Sequence, residues 1–258
     1  MSLMQVQWIA LRTLVTKEIR RFMRIWQQTL VPPAITMTLY FIIFGNLIGS
    51  RIGDMGGVDY MAFIVPGLIM MSVITNAYGN VASSFFSNKF QHSIEEMLVA
   101  PVHPGTILLG FVAGGVARGV LVGLIVTLLS LYFTQLQIHN IAVVVSVILL
   151  SAILFSLGGF VNAIFATKFD DISIVPTFVI TPLTYLGGVF YSIGLLPEFW
   201  QKVSLFNPIL YMVNTFRYGI LGVSDVDLLT SFSMLIVFIV ALAMYCIWLM
   251  QRGVGMRQ

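Results

Sequence analysis

The chain has 258 residues, of which 59% are hydrophobic and 9% charged, with a formal net charge of +3. Soluble domains carry about 25% charged residues to hydrate their surfaces, so the composition, with a mean hydropathy of +0.98, excludes an ordinary water-soluble fold. The basic pI of about 9.1 comes from Lys and Arg set between apolar runs, the pattern of a membrane protein rather than of a nucleic-acid surface.

The first expected element is an interfacial amphipathic helix over residues 1–26. Trp8, Leu11, Val15, Ile19, Phe22 and Trp26 recur at three- and four-residue steps, while Lys17, Arg20, Arg21 and Arg24 occupy other faces. Such a helix lies at the inner surface with its bases toward anionic membrane lipids; the alternative is a cytoplasmic extension of the first span. The stretch lacks the pattern of a secretory signal.

A helix needs roughly 20 apolar residues to cross the hydrocarbon, and its backbone must satisfy its own hydrogen bonds there. Six segments qualify, at about 27–48, 60–86, 105–133, 140–165, 172–191 and 229–250. The expected fold class is an all-α membrane protein, one transmembrane domain over 1–258. The bases before the first span put the N-terminus in the cytoplasm, and an even span count returns the C-terminus to the same side. Arg12, Lys17, Arg20, Arg21, Arg24, Lys89, Lys168, Arg252 and Arg257 then lie inside, against Arg51, Lys202 and Arg217 outside, as the positive-inside rule requires.

Between spans two and three, Phe90, Ile94, Met97 and Leu98 form an apolar stripe beside Glu95 and Glu96, ended by Pro101 and Pro104. Its apolar face either meets a partner or packs on its own bundle. Residues 205–223 compete as a seventh span. They contain Asn207, Pro208, Asn214 and Arg217, and an odd count would reverse the C-terminal charges. Residues 192–222 are instead expected as short re-entrant helices broken at Asn207-Pro208, with Asn as N-cap and Pro at the first helical position.

Polar residues within spans mark packing or a path. Asn76, Asn80, Ser83, Ser84 and Ser87 follow one face of span two, the better candidate for a path, with Phe86 among the aromatics near it. Ser173, Thr177, Thr181 and Thr184 on span five read as packing. Gly114, Gly115, Gly119 and Gly123 on span three, with Gly158 and Gly159 on span four, are expected at close helix contacts. Arg118 is the charge deep in a span, and its acceptors are backbone carbonyls, Asn80, Asn162 or an anionic headgroup. Its role is either functional or structural.

No phosphate-binding P-loop is present: the four lysines follow Thr16, Asn88, Thr167 and Gln201, never glycine. Asp170-Asp171 read as solvated residues capping span five. Cys246 has no disulfide partner, and His92, His103 and His139 lack ligand spacing, so no metal site is expected.

Residues 181–191 read TPLTYLGGVFY, containing Gly187, Gly188 and Tyr191; Pro197, Asn207, Pro208, Tyr211 and Arg217 follow. This pattern resembles the signature of ABC type-2 exporter permeases, and the run IEEMLVAP at 94–101 resembles that family's coupling helix. The resemblance covers essentially the whole chain and extends to small bacterial inner-membrane transport permeases. It implies a permease homodimer carrying two copies of a separate ABC ATPase, with ATP and Mg held in that partner and no cofactor in this chain. The coupling helix, 88–100, would dock into the ATPase through Phe90, Ile94, Glu95, Glu96, Met97 and Leu98. The re-entrant helices would cap the exit. Asn76, Asn80, Ser83, Phe86 and Arg118 would line the route of a hydrophobic or amphipathic substrate. An ion-coupled secondary transporter or channel is the alternative; its mark would be acidic residues deep in spans, and none is found. A scaffold without transport is a third reading.

Overall fold

The computed structural model describes residues 2–55 and 57–255, and Arg257 lies outside the described residues. Helix α1, Leu3–Arg24, opens on a capping box between Ser2 and Gln5. Its buried residues are Leu14, Glu18 and Phe22, one turn apart, and not the expected stripe. Phe22 belongs to both lines, whereas Trp8, Ile19 and Trp26 stay exposed. The reason is glycine on a later helix. A Cβ placed on Gly110 would lie 2.6 Å from the Cβ of Leu14, and one on Gly114 would lie 2.5 Å from that of Glu18. Only the line from Leu14 to Phe22 fits these notches.

Helix α2 runs over 26–52, with a turn at Leu30 and a π-helical stretch at Phe41–Ile48. A two-stranded antiparallel hairpin, β1 Asp54–Met55 and β2 Val58–Asp59, returns the chain inward. Helix α3, Tyr60–Phe90, starts at Asp59, whose side chain accepts from the Met61 amide at 3.0 Å. It is the central helix, buried along nearly its whole length.

Small residues let its neighbours approach. On α5, Pro104–Ser130, Cβ atoms on Gly115 and Gly119 would meet Ala77 of α3 at 2.9 Å; on α6, Ile141–Phe165, one on Gly159 would stand 2.5 Å from the Tyr78 carbonyl oxygen. The obstacle at Gly159 is backbone, which cannot rotate away. Gly159→Ala is therefore expected to destabilise the protein by about 1–3 kcal/mol, the usual cost of overpacking. Thermal unfolding in detergent measures this, and an unchanged midpoint would mean that α3 and α6 can separate freely.

Helix α3 continues to Phe90, so the expected 88–100 segment divides. Asn88, Lys89 and Phe90 finish α3; a turn follows in which His92 adopts φ 59; α4, Ser93–Val99, is separate. Lys89 is not a free cytoplasmic charge. It is buried, and its Nζ donates to Ile164 and Ala166 carbonyls at 2.6 and 2.8 Å, satisfying the carbonyl end of α6.

Helix α7, Asp171–Leu186, is shorter than the expected 172–191 and contains a π-helical turn at Pro176–Ile180. Asp171 does not cap its amides. The carboxylate instead accepts from the Thr167 and Lys168 amides upstream, at 2.8 and 3.0 Å, because it sits inside the first turn and can reach only backward. After a 3-10 turn at Ile193–Leu195 come α8, Glu198–Ser204, and α9, Pro208–Leu221. The break falls as expected, with Asn207 Oδ1 accepting from the Ile209 amide at 3.0 Å and Pro208 first in the helix. At 1.5 Å per residue α9 is about 21 Å long, too short to span. Helix α10, Leu228–Arg252, starts at Asp227; the Thr230 amide bonded to that carboxyl holds it below its usual range.

Five stretches are long and apolar enough to cross a membrane: Trp26–Gly45, Tyr60–Phe90, Pro104–Ser130, Ile141–Phe165 and Leu228–Arg252. One apolar core gathers round Phe63, Leu68 and Phe216, a second round Phe85, Phe111 and Phe160.

Candidate functional site

Along α3, Asn76, Asn80, Ser84 and Asn88 recur every four residues and so share one face. Each binds a charged side chain from a neighbouring helix. Arg118 Nη2, from α5, donates to Asn76 Oδ1 at 3.1 Å and to the Thr29 carbonyl at 3.3 Å. Arg21 Nη2 donates to Asn80 Oδ1 and to its carbonyl, both at 2.9 Å. Ser84 Oγ donates to Glu18 Oε1 at 2.8 Å, and Lys17 Nζ donates to Asn88 Oδ1 at 2.6 Å. Helix α1 is thereby bonded to α3 over three successive turns.

Arg118 takes neither amide expected for it. Asn80 is occupied by Arg21, and Asn162 Nδ2 donates to the Ile172 carbonyl at 3.2 Å. Glu18 was missed altogether. It is 0% exposed, with Oε2 3.4 Å from Arg21 Nε. Its signal was its place four residues after Leu14 and four before Phe22, a lone acid within a basic helix.

Beside this ladder α3 has an open line that begins at the half-buried Met71. Thr75 is exposed and Gly79, Ser83 and Ser87 are half-buried, and nothing lies within 4 Å of a Cβ built on Gly79. Of the residues expected on a path, Ser83 lies on this seam, and Asn76, Asn80 and Arg118 flank it. Phe86, seven residues past Gly79 on α3, is fully buried, its ring 4.9 Å from that of Phe169.

The α4 stripe splits. Ile94 is 2% exposed in the core with Phe86 and Phe111, and Met97 and Leu98 pack half-buried against it. Ile94 therefore belongs to the protein's own interior and is not free to dock. Phe90 is exposed at the end of α3, its ring 5.2 Å from Phe169. The outward residues of α4 are Glu95, Glu96 and Val99, the last 87% exposed.

The 187–217 signature residues form a junction between the end of α7 and the start of α9. Arg217 is 1% exposed, an interior cation rather than a free charge. Its Nη2 donates to the Gly188 carbonyl at 2.6 Å and its Nε to that of Phe63 at 3.3 Å, with the guanidinium carbon 3.8 Å from the Phe63 ring centroid. Gly188 has φ +72, a conformation that costs glycine little and aims its carbonyl at Arg217. Asn207 Nδ2 donates to the Leu183 carbonyl at 2.5 Å, and a Cβ on Gly187 would press on Ile209 at 2.9 Å. Tyr191 and Pro197 lie in the connecting stretch, where the Tyr191 hydroxyl donates to the Tyr185 carbonyl at 2.8 Å and Pro197 precedes α8.

The family model of the ABC-2 type transporter matches residues 9–221. The chain is 64% identical over 255 residues to the inner membrane transport permease YadH of Escherichia coli strain K12, covering 99% of this chain and 100% of that protein. It is 27% identical over 203 residues to nodulation protein J of Rhizobium leguminosarum bv. trifolii, 78% of each chain. With nodulation protein J of Neorhizobium galegae the identity is 24% over 215 residues, 83% and 82% of the two chains. The match runs from α1 through the Arg217 junction to the end of α9, and the chain belongs to the ABC-2 type transporter family.

Proposed function

We propose that this chain is the membrane-spanning subunit of an ATP-driven exporter in the bacterial inner membrane. It works as a homodimer with two copies of a separate ATPase, which holds the ATP and Mg. The seam along α3 carries the reading. A central helix closed along most of its length leaves one line of residues, Met71, Thr75, Gly79, Ser83 and Ser87, partly uncovered, a mostly small and polar strip with an apolar end, suited to a passing amphipathic or hydrophobic molecule. In this reading α7 completes a sixth pass, α8 and α9 re-enter the outer leaflet, and both termini are cytoplasmic. The distribution of Lys and Arg supports that orientation. Helix α4, joined to α3 through the two-residue turn Gln91-His92, is the coupling element.

The purified chain is expected to hydrolyse no ATP alone, and to support substrate-stimulated hydrolysis and export only after reconstitution with its ATPase. Hydrolysis by the chain by itself, or ATP-independent flux through it in vesicles, would overturn the reading.

A further inference from the structure

The cluster joining α1, α3 and α5 has more positive charge than it can use. Arg21 and Arg118 come from different helices to amides one turn apart on α3, and lie within electrostatic reach of each other. Glu18 is the carboxylate among them, and it is committed: Oε1 accepts from Ser84, and Oε2 faces Arg21 Nε. With two guanidinia against one carboxylate, and the Lys17 ammonium also within electrostatic reach of Glu18 and Arg21, the cluster keeps a net positive charge.

Its hydrogen-bonding capacity is also unspent. Among the described residues, Arg118 Nε and Asn80 Nδ2 are buried with no acceptor, Arg21 Nε and Glu18 Oε2 face each other at 3.4 Å without a hydrogen bond, and Arg21 and Arg118 hydrogen-bond only through Nη2. The cluster is not sealed, for the Arg21 side chain is 29% exposed and the open face at Gly79 lies one residue from Asn80. Unpaired cationic charge beside hydrocarbon is costly, and guanidinium forks match phosphate and carboxylate oxygens in pairs. An anion seated here would receive the free donors and neutralise the excess charge.

We propose that Arg21 and Arg118 bind the anionic group, phosphate or carboxylate, of an amphipathic molecule whose apolar body lies along the α3 seam or in the adjoining bilayer. Glu18 opposes that anion and limits how tightly it is held. The site consists of this chain's own residues; only its use for cargo rests on the exporter reading. A bilayer lipid and a transported amphiphile present the same chemistry to it.

The test is equilibrium binding of labelled dodecyl phosphate to the full-length permease in phosphatidylcholine nanodiscs, corrected for empty discs. Saturable binding is expected, about tenfold weaker in Arg118→Gln and in Arg21→Gln, the effect of about 1.4 kcal/mol. Glu18→Gln should bind several-fold more tightly, because the cluster's charge rises, an outcome that a purely structural role for these residues would not produce. Neither dodecyl maltoside nor inorganic phosphate should displace the probe. Undiminished binding in Arg118→Gln, or no tightening in Glu18→Gln, overturns the proposal, and the second result decides should the arginine variants fail to fold. Equal displacement by inorganic phosphate overturns the amphiphile class. Replacing one fifth of the phosphatidylcholine with phosphatidylglycerol separates the sources: displacement makes bilayer lipid the occupant, and retention reserves the site for cargo. Because no ATPase is present, failure of export elsewhere leaves this result standing.

Discussion

Arg217→Met is expected to lower the thermal unfolding midpoint of the detergent-solubilised protein by about 10 °C. The guanidinium makes charge-assisted bonds to the Gly188 and Phe63 carbonyls and stacks on the Phe63 ring. Such bonds are worth about 1.5–3 kcal/mol each, and a desolvated cation–π contact adds about 2 kcal/mol. Relief of the buried charge offsets part of this, leaving a net loss of about 3–4 kcal/mol. At roughly 2–4 °C per kcal/mol for a chain of this size, the shift follows. Arg217→Lys should recover little, since an ammonium cannot serve two carbonyls and a ring face from one plane. A wild-type midpoint in the methionine variant would show that the junction of α7, α3 and α9 holds without its cation.

The second large effect concerns α4. Val99→Asp is expected to weaken ATPase binding by about 30-fold or more, the effect of losing a hot spot worth about 2 kcal/mol, with the permease's own unfolding unchanged. Ile94→Asp should do the reverse: the carboxylate would be buried in the core with Phe86 and Phe111, and the fold would fail before docking could be assayed. Pull-down of the ATPase alongside thermal unfolding separates the two. Native binding by the Val99 variant would remove α4 as the docking element.

The spans could be found in the sequence because hydropathy is a local property, and the start of α9 because Asn207 and Pro208 cap a helix with their own atoms. The charged ladder could not. Which apolar line of α1 is buried depends on glycines at 110 and 114, and the partners of Arg21 and Glu18 lie 59 and 66 residues away. Arg217 reaches Phe63 across 154 residues, so read locally it was one more outside base. The stripe on α4 was visible as a stripe, but a period cannot say whether the face it defines is covered by a partner or by the same chain. Ile94 shows that part of the answer is the same chain. The seam on α3 was half visible: Ser83 and its neighbours marked a polar side, while the gap at Gly79 depends on what other helices leave uncovered.

The wide turns in α2 and α7 give these two helices a property the others lack. A π-turn holds about one residue more than an α-turn, so moving it along the helix transfers a residue across it while the rest of the backbone stays hydrogen-bonded. Each transfer changes the length beyond the turn by about 1.5 Å and its azimuth by about 100°. The Thr181 hydroxyl, bonded to the Pro176 carbonyl five residues back at 2.9 Å, grips such a turn from the side. Both helices converge on the Phe190 ring, whose centroid lies 4.8 Å from that of Phe44 and 5.9 Å from that of Tyr185. Between them stands the buried, unbroken α3, and the only wide turns among the described helices are in its two neighbours.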